Sequence, residues 1–182
     1  MKTLIVVDCQ NDFISGSLAC LNAEEAVEYI VKYINDNDVR VVYSCDWHSE
    51  YNESFEINGG IWPVHCVENT WGAELSETFK EVKYTDQSPI PDNIYKKGQD
   101  DKVEEYSAYY AQNPKGEKIA DIEAEEFIVA GIASEYCVRE TVLELLKNGK
   151  NVSILKEGLG YVDKAEHKKN LETLKEKVTV LK

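Results

Sequence analysis

Apolar residues along the chain form two patterns, short continuous runs and longer stretches with the spacing of a helix. Short apolar runs bounded by polar or turn-forming residues are typical of strands buried in a sheet, so they predict strands here. The third of these runs is the weakest. The predicted strands cover residues 4–7, 39–43, 94–96, 127–130, 152–155 and 178–181.

Stretches with helical spacing separate most of these strands. The clearest runs from Ala23 to Ile34, and the sequence from Asn22 to Glu25 predicts a capping box at its start. Gly149 is expected to end a later helix. The other predicted helices cover residues 73–80, 136–148 and 164–176.

The alternation of strands and helices predicts an α/β fold. Repeated strand–helix–strand units form right-handed crossovers, which give a parallel sheet with helices on both faces. No repeat or linker divides the chain, so we expect one domain over residues 1–182. Ligand sites in such sheets lie beyond the carboxyl ends of the strands, so residues that follow strands are the candidates for function.

Composition and charge limit the classes of partner. The chain has 182 residues, of which 43% are apolar and 30% charged, as in a globular domain with its own core. The formal net charge of −14 repels phosphate backbones and anionic lipid. We therefore expect neither nucleic acid nor a membrane surface as a partner, and solubility alone also explains the charge.

The cysteines indicate a reducing compartment. There are five, an odd number without a CxxC pair, which argues against a disulfide framework and a structural zinc knuckle. The apolar run at the N-terminus is too short for a signal peptide, and no stretch approaches the roughly 20 apolar residues needed to cross a bilayer. We expect a cytoplasmic protein with reduced thiols.

Three residues near strand ends could form a nucleophile and its base. Cys137 follows a strand and opens a helix, whose N-terminus favours a thiolate and offers N–H groups to an oxyanion. Asp8 follows the first strand, where burial would raise its pKa and suit it to proton transfer. Lys97, with Lys96 as the competing choice, would hold Asp8 ionised and lower the pKa of the thiol.

Each of these residues also has a structural explanation. Cys137 could be an inert cysteine of the core, Asp8 a turn residue and Lys97 a surface lysine. Their joint occurrence is what favours catalysis.

A carboxylate and two imidazoles lie in the long irregular segment 46–72, and a loop of that length is usually functional. Asp46 and His48 are two positions apart on an extended chain, so both point to the same side and can share one ion. With His65 they form a donor set that suits zinc, iron or manganese. These residues could instead only cap loops. Two of the three histidines of the chain lie here, which favours a metal.

Together these segments resemble the nicotinamidase branch of the isochorismatase-like cysteine hydrolases. The similar motifs of that family occur in the same order and span nearly the whole chain, from residue 4 to about 160. The matching segments, with the family motif in parentheses, are residues 8–13 (DxQNDF), 46–48 and 60–66 (DWH and WPxHC), 95–98 and 106–109 (KG and YSAF), and 131–137 (GLATDYC).

The resemblance implies a three-layer α-β-α fold with a six-stranded parallel sheet, of Rossmann-like type. It also implies a catalytic triad of Asp8, Lys97 and Cys137. A non-proline cis peptide is implied between Ile132 and Ala133, and the N–H groups of Ala133 and Cys137 would form the oxyanion hole. The implied substrate-binding side chains are Phe13, Trp62 and Tyr106.

The resemblance further implies one divalent metal ion, with zinc as the first choice and iron or manganese as alternatives. The implied ligands are Asp46, His48 and His65. Many relatives hold another histidine six residues after the aspartate, where this chain has Asn52. Its amide oxygen is our first choice for a further ligand, with Glu53 next and Glu50 as another carboxylate.

The implied function is hydrolysis of nicotinamide, or a related pyridine carboxamide, to the acid and ammonia through a cysteine thioester, a step of NAD salvage. One alternative is a metal-independent hydrolase of the same superfamily, of the isochorismatase-like, carbamoyl-amide or ureido-acid type. The metal motifs argue against it. A more distant alternative is a binding module without catalysis. The resemblance also implies that homo-oligomers can form.

Overall fold

Six strands form one sheet in the computed structural model, which describes residues 1–182, and every pair of neighbouring strands is parallel. The strand order is β3-β2-β1-β4-β5-β6. The chain builds outward from β1 to one edge and then crosses to the other side of β1. This reversal opens a crevice at the carboxyl ends of β1 and β4. The strands are β1 (Lys2–Val7), β2 (Arg40–Asp46), β3 (Ile94–Lys97), β4 (Glu126–Gly131), β5 (Val152–Leu159) and β6 (Thr179–Leu181).

Helices cover both faces of this sheet. Successive side chains of β1 point to opposite faces, so Leu4 and Val6 share one core with α2, whereas Ile5 and Val7 share another with α3 and α4. Burial on both faces explains why the strand is continuously apolar. The predicted three-layer α-β-α fold is confirmed. The helices are α1 (Asn11–Ile14), α2 (Ala23–Asp36), α3 (Arg139–Lys147) and α4 (Lys164–Leu174).

None of these helices combines the length and the apolar composition that crossing a membrane requires.

The predicted capping box at the start of α2 is wrong. Asn22 has a left-handed backbone with φ of 57°, and its side chain caps no helical N–H. Its Nδ2 instead donates to the carbonyl of Leu159 at 2.9 Å. A tertiary hydrogen bond to β5 thus takes the amide that the local sequence pattern assigned to the cap.

The predicted helix at residues 73–80 is also wrong. The chain forms two short 3-10 turns there, Trp71–Ala73 and Glu77–Glu81. Between them, the carbonyl of Glu74 accepts from Asn11 at 2.9 Å and the N–H of Ser76 donates to Cys9 at 2.9 Å. Backbone groups that pair with the loop after β1 cannot also form helical hydrogen bonds, so the segment stays extended.

Candidate active site

The carboxylate of Asp8 lies directly after β1, where the backbone turns sharply. Its φ of 48° lies in the left-handed region, which aspartate tolerates better than most residues. The Ser44 hydroxyl donates to Oδ1 at 2.6 Å. Oδ2 lies 2.9 Å from Nζ of Lys97 but accepts no well-directed hydrogen bond. One buried oxygen of Asp8 is therefore available to accept a proton.

Lys97 is the last residue of β3, and its ammonium contacts the other charged groups of the site. Its ammonium forms ion pairs with both Asp8 and Asp46, and its side chain is fully buried. Nζ also donates to the carbonyl of Glu105 at 3.1 Å and lies 3.6 Å from Sγ of Cys137. A single cation thus contacts two carboxylates and the sulfur.

Lys96 points away from this centre, because neighbouring residues of a strand face opposite sides of the sheet. Its ammonium lies 3.5 Å from the centre of the Trp47 ring. Of the two lysines considered from the sequence, Lys97 is the one that meets Asp8.

Cys137 lies in a wide turn of π type, Ser134–Val138, between β4 and α3. Its Sγ and carboxylate oxygens of Asp8 and Asp46 all lie within 4.8 Å of one another. The structure therefore brings together Asp8, Lys97 and Cys137, which come from three distant segments of the sequence.

Burial controls the protonation of Cys137 and Asp8. It raises the pKa of the Cys137 thiol well above its ordinary value, and Lys97, which acts in the opposite direction, does not outweigh it. The sequence favoured a lowered thiol pKa, so the buried resting site differs from that expectation. Burial also raises the pKa of Asp8, against the influence of Lys97. A protonated thiol thus lies beside a carboxylate of increased basicity.

The residue before this turn carries a free backbone donor. The peptide bond between Ile132 and Ala133 is cis, as the resemblance implies. The N–H of Ala133 donates to no acceptor within the protein, whereas the next N–H, that of Ser134, donates to Gly160 at 2.8 Å. Ala133 lines the same pocket as Cys137. Its N–H is therefore available to an oxygen of a bound molecule.

The side chains of Asp46, His48 and His65 converge next to the triad. One ligand atom from each lies within 4.8 Å of those of the others. Nδ1 of His48 lies 2.8 Å from the carbonyl of Gly98, and Nδ1 of His65 lies 2.7 Å from that of Pro63. Because a carbonyl accepts a proton from Nδ1, each imidazole in its neutral form carries its lone pair on Nε2, and both Nε2 atoms face Asp46.

This donor set fits a divalent cation. Oδ2 of Asp46 lies 3.5 Å from Nε2 of His48 and 3.9 Å from Nε2 of His65. Burial acts to raise the pKa of Asp46, but Lys97 and His48 outweigh it and keep the carboxylate ionised. Burial lowers the pKa of His48, but the Asp46 carboxylate outweighs it and raises that pKa, so a cation would displace the proton that His48 shares with Asp46. Burial lowers the pKa of His65, which favours the neutral imidazole that binds metals. A carboxylate with two imidazoles is a common zinc, iron or manganese site.

Aromatic side chains form the wall of the adjoining pocket. Phe13, Trp62 and Tyr106 all line it, as the resemblance implies, and Nε1 of Trp62 donates to the Tyr106 hydroxyl at 3.1 Å. Sequence reasoning missed several further wall residues. They are Leu18, Cys20, Glu104, Glu105, Tyr136 and Val162.

The isochorismatase domain family matches residues 2–181. This chain belongs to that family. It is 32% identical to the nicotinamidase of Saccharomyces cerevisiae. The alignment extends over 195 positions and covers 85% of this chain and 86% of the yeast protein.

Two solved structures share the fold over the full chain. The pyrazinamidase of Pyrococcus horikoshii in complex with zinc is 30% identical, with a TM-score of 0.83 over 100% of this chain and 98% of that one. PnC1 from L. infantum in complex with nicotinate is also 30% identical, with a TM-score of 0.85 over 100% of this chain and 92% of that one.

Asn52 lies on the far side of His48 from the other metal-site residues. Its Nδ2 is 3.3 Å from Nδ1 of His48, and its Oδ1 accepts from the N–H of Ser54 at 3.0 Å. Glu50 and Glu53 are exposed and lie outside the cluster. This placement does not support a further ligand at Asn52 or at either glutamate. Asn52 instead packs against the ring of His48, because the carbonyl of Gly98 attracts both side chains.

Two supporting residues have no role in the sequence prediction. Gln10 accepts from the N–H of Asp46 at 2.8 Å and donates to its carbonyl at 2.8 Å. The Phe55 ring packs edge-on against both His48 and His65, at 5.5 and 5.2 Å between ring centres. Gln10 could have been found, since it lies within the first motif. Phe55 lies in an irregular loop and has no sequence signal.

Proposed function

We propose that this isochorismatase-family hydrolase is a metal-dependent nicotinamidase that converts nicotinamide to nicotinate and ammonia. The proposal depends on one observation: Cys137 and Ala133, whose N–H has no acceptor within the protein, line the same pocket as Asp46, His48 and His65. The relatives in complex with nicotinate and with zinc support this ligand pair.

The metal residues would orient the substrate ring. Asp46, His48 and His65 would hold a divalent cation, with zinc as first choice and iron or manganese as alternatives. When bound, such an ion supplies a coordination position for the pyridine nitrogen of the substrate. Phe13 and Trp62, with Tyr106, would hold the faces of the ring and align the carboxamide with Cys137.

The first half of the reaction forms a thioester. The thiol of Cys137 gives its proton to Asp8 as the sulfur attacks the carboxamide carbon. The N–H groups of Ala133 and Cys137 stabilise the negative oxygen of the tetrahedral intermediate. Asp8 then protonates the amine, the C–N bond breaks and ammonia leaves.

The second half restores the enzyme. Asp8 takes a proton from water, the oxygen attacks the thioester carbon and the C–S bond breaks. Asp8 returns its proton to the Cys137 sulfur, the new carboxylic acid loses the remaining proton of the water to solvent, and nicotinate leaves. Throughout, the Asp46 and Asp8 charges outweigh burial and raise the pKa of Lys97 well above its ordinary value, so its ammonium stays charged beside Asp8.

Replacement of the nucleophile tests this assignment. Cys137→Ala should abolish ammonia release from nicotinamide, with circular dichroism and metal content unchanged. Cys45→Ala removes another buried thiol, from β2 and outside the pocket, and should retain turnover. Ammonia release by Cys137→Ala would refute the mechanism. Turnover that survives a chelator, without recovery on added zinc, iron or manganese, would favour a metal-independent amidohydrolase.

We also infer a cytoplasmic location, since all five cysteines are free, as a reducing compartment keeps them. One domain over residues 1–182 and assembly into homo-oligomers stay predictions.

A further inference from the structure

Helix α4 contacts the turn that carries the nucleophile, although it supplies no residue to the pocket. Nδ1 of His167 lies 2.8 Å from Oγ of Ser134, and Nδ2 of Asn170 donates to the carbonyl of Ser134 at 2.8 Å. Ser134 is completely buried and Asn170 is 7% exposed. We call Ser134, His167 and Asn170 the α4 clamp.

The segment that leads into α4 holds the next residue of the turn. Oε1 of Glu135 accepts from the N–H of Val162 at 2.8 Å and from that of Asp163 at 2.7 Å. Asp163 in turn caps α4, where its Oδ1 accepts from Ala165 and Glu166 at 2.8 and 2.9 Å. Ser134 and Glu135 are therefore both hydrogen-bonded to α4 and the segment that leads into it.

The hydrogen bonds of the α4 clamp have a defined direction. Burial lowers the pKa of His167, and Lys156 and Lys168 lower it further, so the ring is neutral near pH 7. Its plane is fixed by stacking on Tyr161, with 4.3 Å between ring centres. Oγ of Ser134 has no other acceptor within hydrogen-bond distance, so its hydroxyl donates to Nδ1 of the neutral ring, whose proton is then on Nε2. Oγ in turn accepts from Asn170 at 3.3 Å.

We propose that the α4 clamp positions the oxyanion hole. Ser134 directly follows the free N–H of Ala133 and opens the turn that contains Cys137, so rotation of Ser134 would tilt both donors. Donors of this kind lower the barrier only when they are already oriented toward the developing charge. The members of the clamp are thus positioning residues, and the inference rests on the proposed function, which places an oxyanion at this turn.

Two variants weaken the clamp with little change in packing. Ser134→Ala removes the hydroxyl, and His167→Phe removes the acceptor but retains a ring that can stack on Tyr161. Lys169→Ala alters an exposed residue of the same helix whose charge does not shift the pKa of His167, and it serves as the control. Loss of one oxyanion donor typically costs about 10²- to 10³-fold in kcat, so a tilted donor should cost on the order of 10-fold.

Two ligands distinguish stabilisation of the oxyanion from binding of the rest of the substrate. Pyridine-3-carbaldehyde forms a tetrahedral adduct with a cysteine thiol, whereas nicotinate occupies the pocket without one. Each clamp variant should lose about 10-fold in kcat and a similar factor in aldehyde affinity, with KM and nicotinate affinity within about 2-fold. The double variant should lose no more than either single variant, because both remove the same hydrogen bond.

Two outcomes would overturn the proposal. One is unchanged aldehyde affinity in both variants. The other is a fall in kcat that matches a fall in titratable Cys137 thiol and in Tm, which would indicate a structural role only. Failure of the proposed function is distinct, since wild-type protein would then release no ammonia from nicotinamide, while the aldehyde comparison would still decide the role of the clamp.

Discussion

The carbonyl oxygen of Gly98 decides whether Nε2 of His48 can face the proposed metal position. The carbonyl of Gly98 orients its ring, and the glycine itself has φ of 71°. A Cβ at Gly98 would lie 2.4 Å from Cε1 of His48, so the ring would have to move. The glycine of the KG motif is therefore required both by its backbone conformation and by the close approach of the imidazole.

Gly98→Ala should weaken metal binding, because it displaces His48. We expect a fall of about 10- to 100-fold in zinc affinity, as for other groups that orient a ligand. Gly116→Ala is the matched control, with φ of 79° and no atom within 4 Å of the added Cβ. Both changes should cost about 1 to 3 kcal/mol of stability through backbone strain. Equal zinc affinity for the two variants, by calorimetric titration, would contradict this account of Gly98.

For single residues, the sequence predicted the positions of side chains that follow strands better than the positions of side chains in loops. Asp8, Lys97 and Cys137 meet because the carboxyl ends of parallel strands converge on one edge of the sheet. Asn52 lies in an irregular loop, where the direction of a side chain depends on tertiary contacts such as the Gly98 carbonyl. No local pattern carries that information.

Whole elements were predicted from periodicity, and their exceptions have a common cause. The six strands appear where the apolar runs indicated them. The capping box at Asn22 and the helix at residues 73–80 fail because hydrogen bonds to distant segments replace the local ones. Local propensity is a weak guide wherever the backbone finds a partner elsewhere in the fold.

The loop after β1 braces the end of β2 through Gln10, which bonds both backbone groups of Asp46. Gln10→Met should loosen this ligand and lower both zinc affinity and kcat by about 10-fold or more. Gln87 is another buried glutamine, at the opposite end of β2, where its Nε2 donates to the carbonyls of Asn37 and Val39 at 3.2 and 2.9 Å. Gln87→Met should therefore lower Tm without changing zinc affinity. Parallel losses of zinc affinity in the two variants would show that general destabilisation, not the brace, is responsible.

Across the whole molecule, the proposed catalytic residues and the proposed metal ligands share one carboxylate. Asp46 offers one oxygen to Lys97 and the other to the two histidines. The structure thus contains two clusters of potential ligands, Asp46 with His48 and His65, and Asp8 with Asp46 and Cys137. The Lys97 ammonium lies within contact of all three members of the second cluster. Its charge should exclude a cation there.

Metal binding should accordingly stabilise the whole fold through the first cluster alone. A cation that binds only the native state adds about 2.7 kcal/mol at 100 times its Kd, because unfolded chains lack the site. In a chain of this size, each kcal/mol of stability raises Tm by about 2 to 4 °C. We therefore expect Tm to rise by roughly 5 to 11 °C when zinc is restored after chelation. His65→Ala should lose this rise, whereas Cys137→Ala should keep it. The opposite pattern in scanning calorimetry would place the ion among the catalytic residues, and Lys97 could then not hold the charge of Asp8.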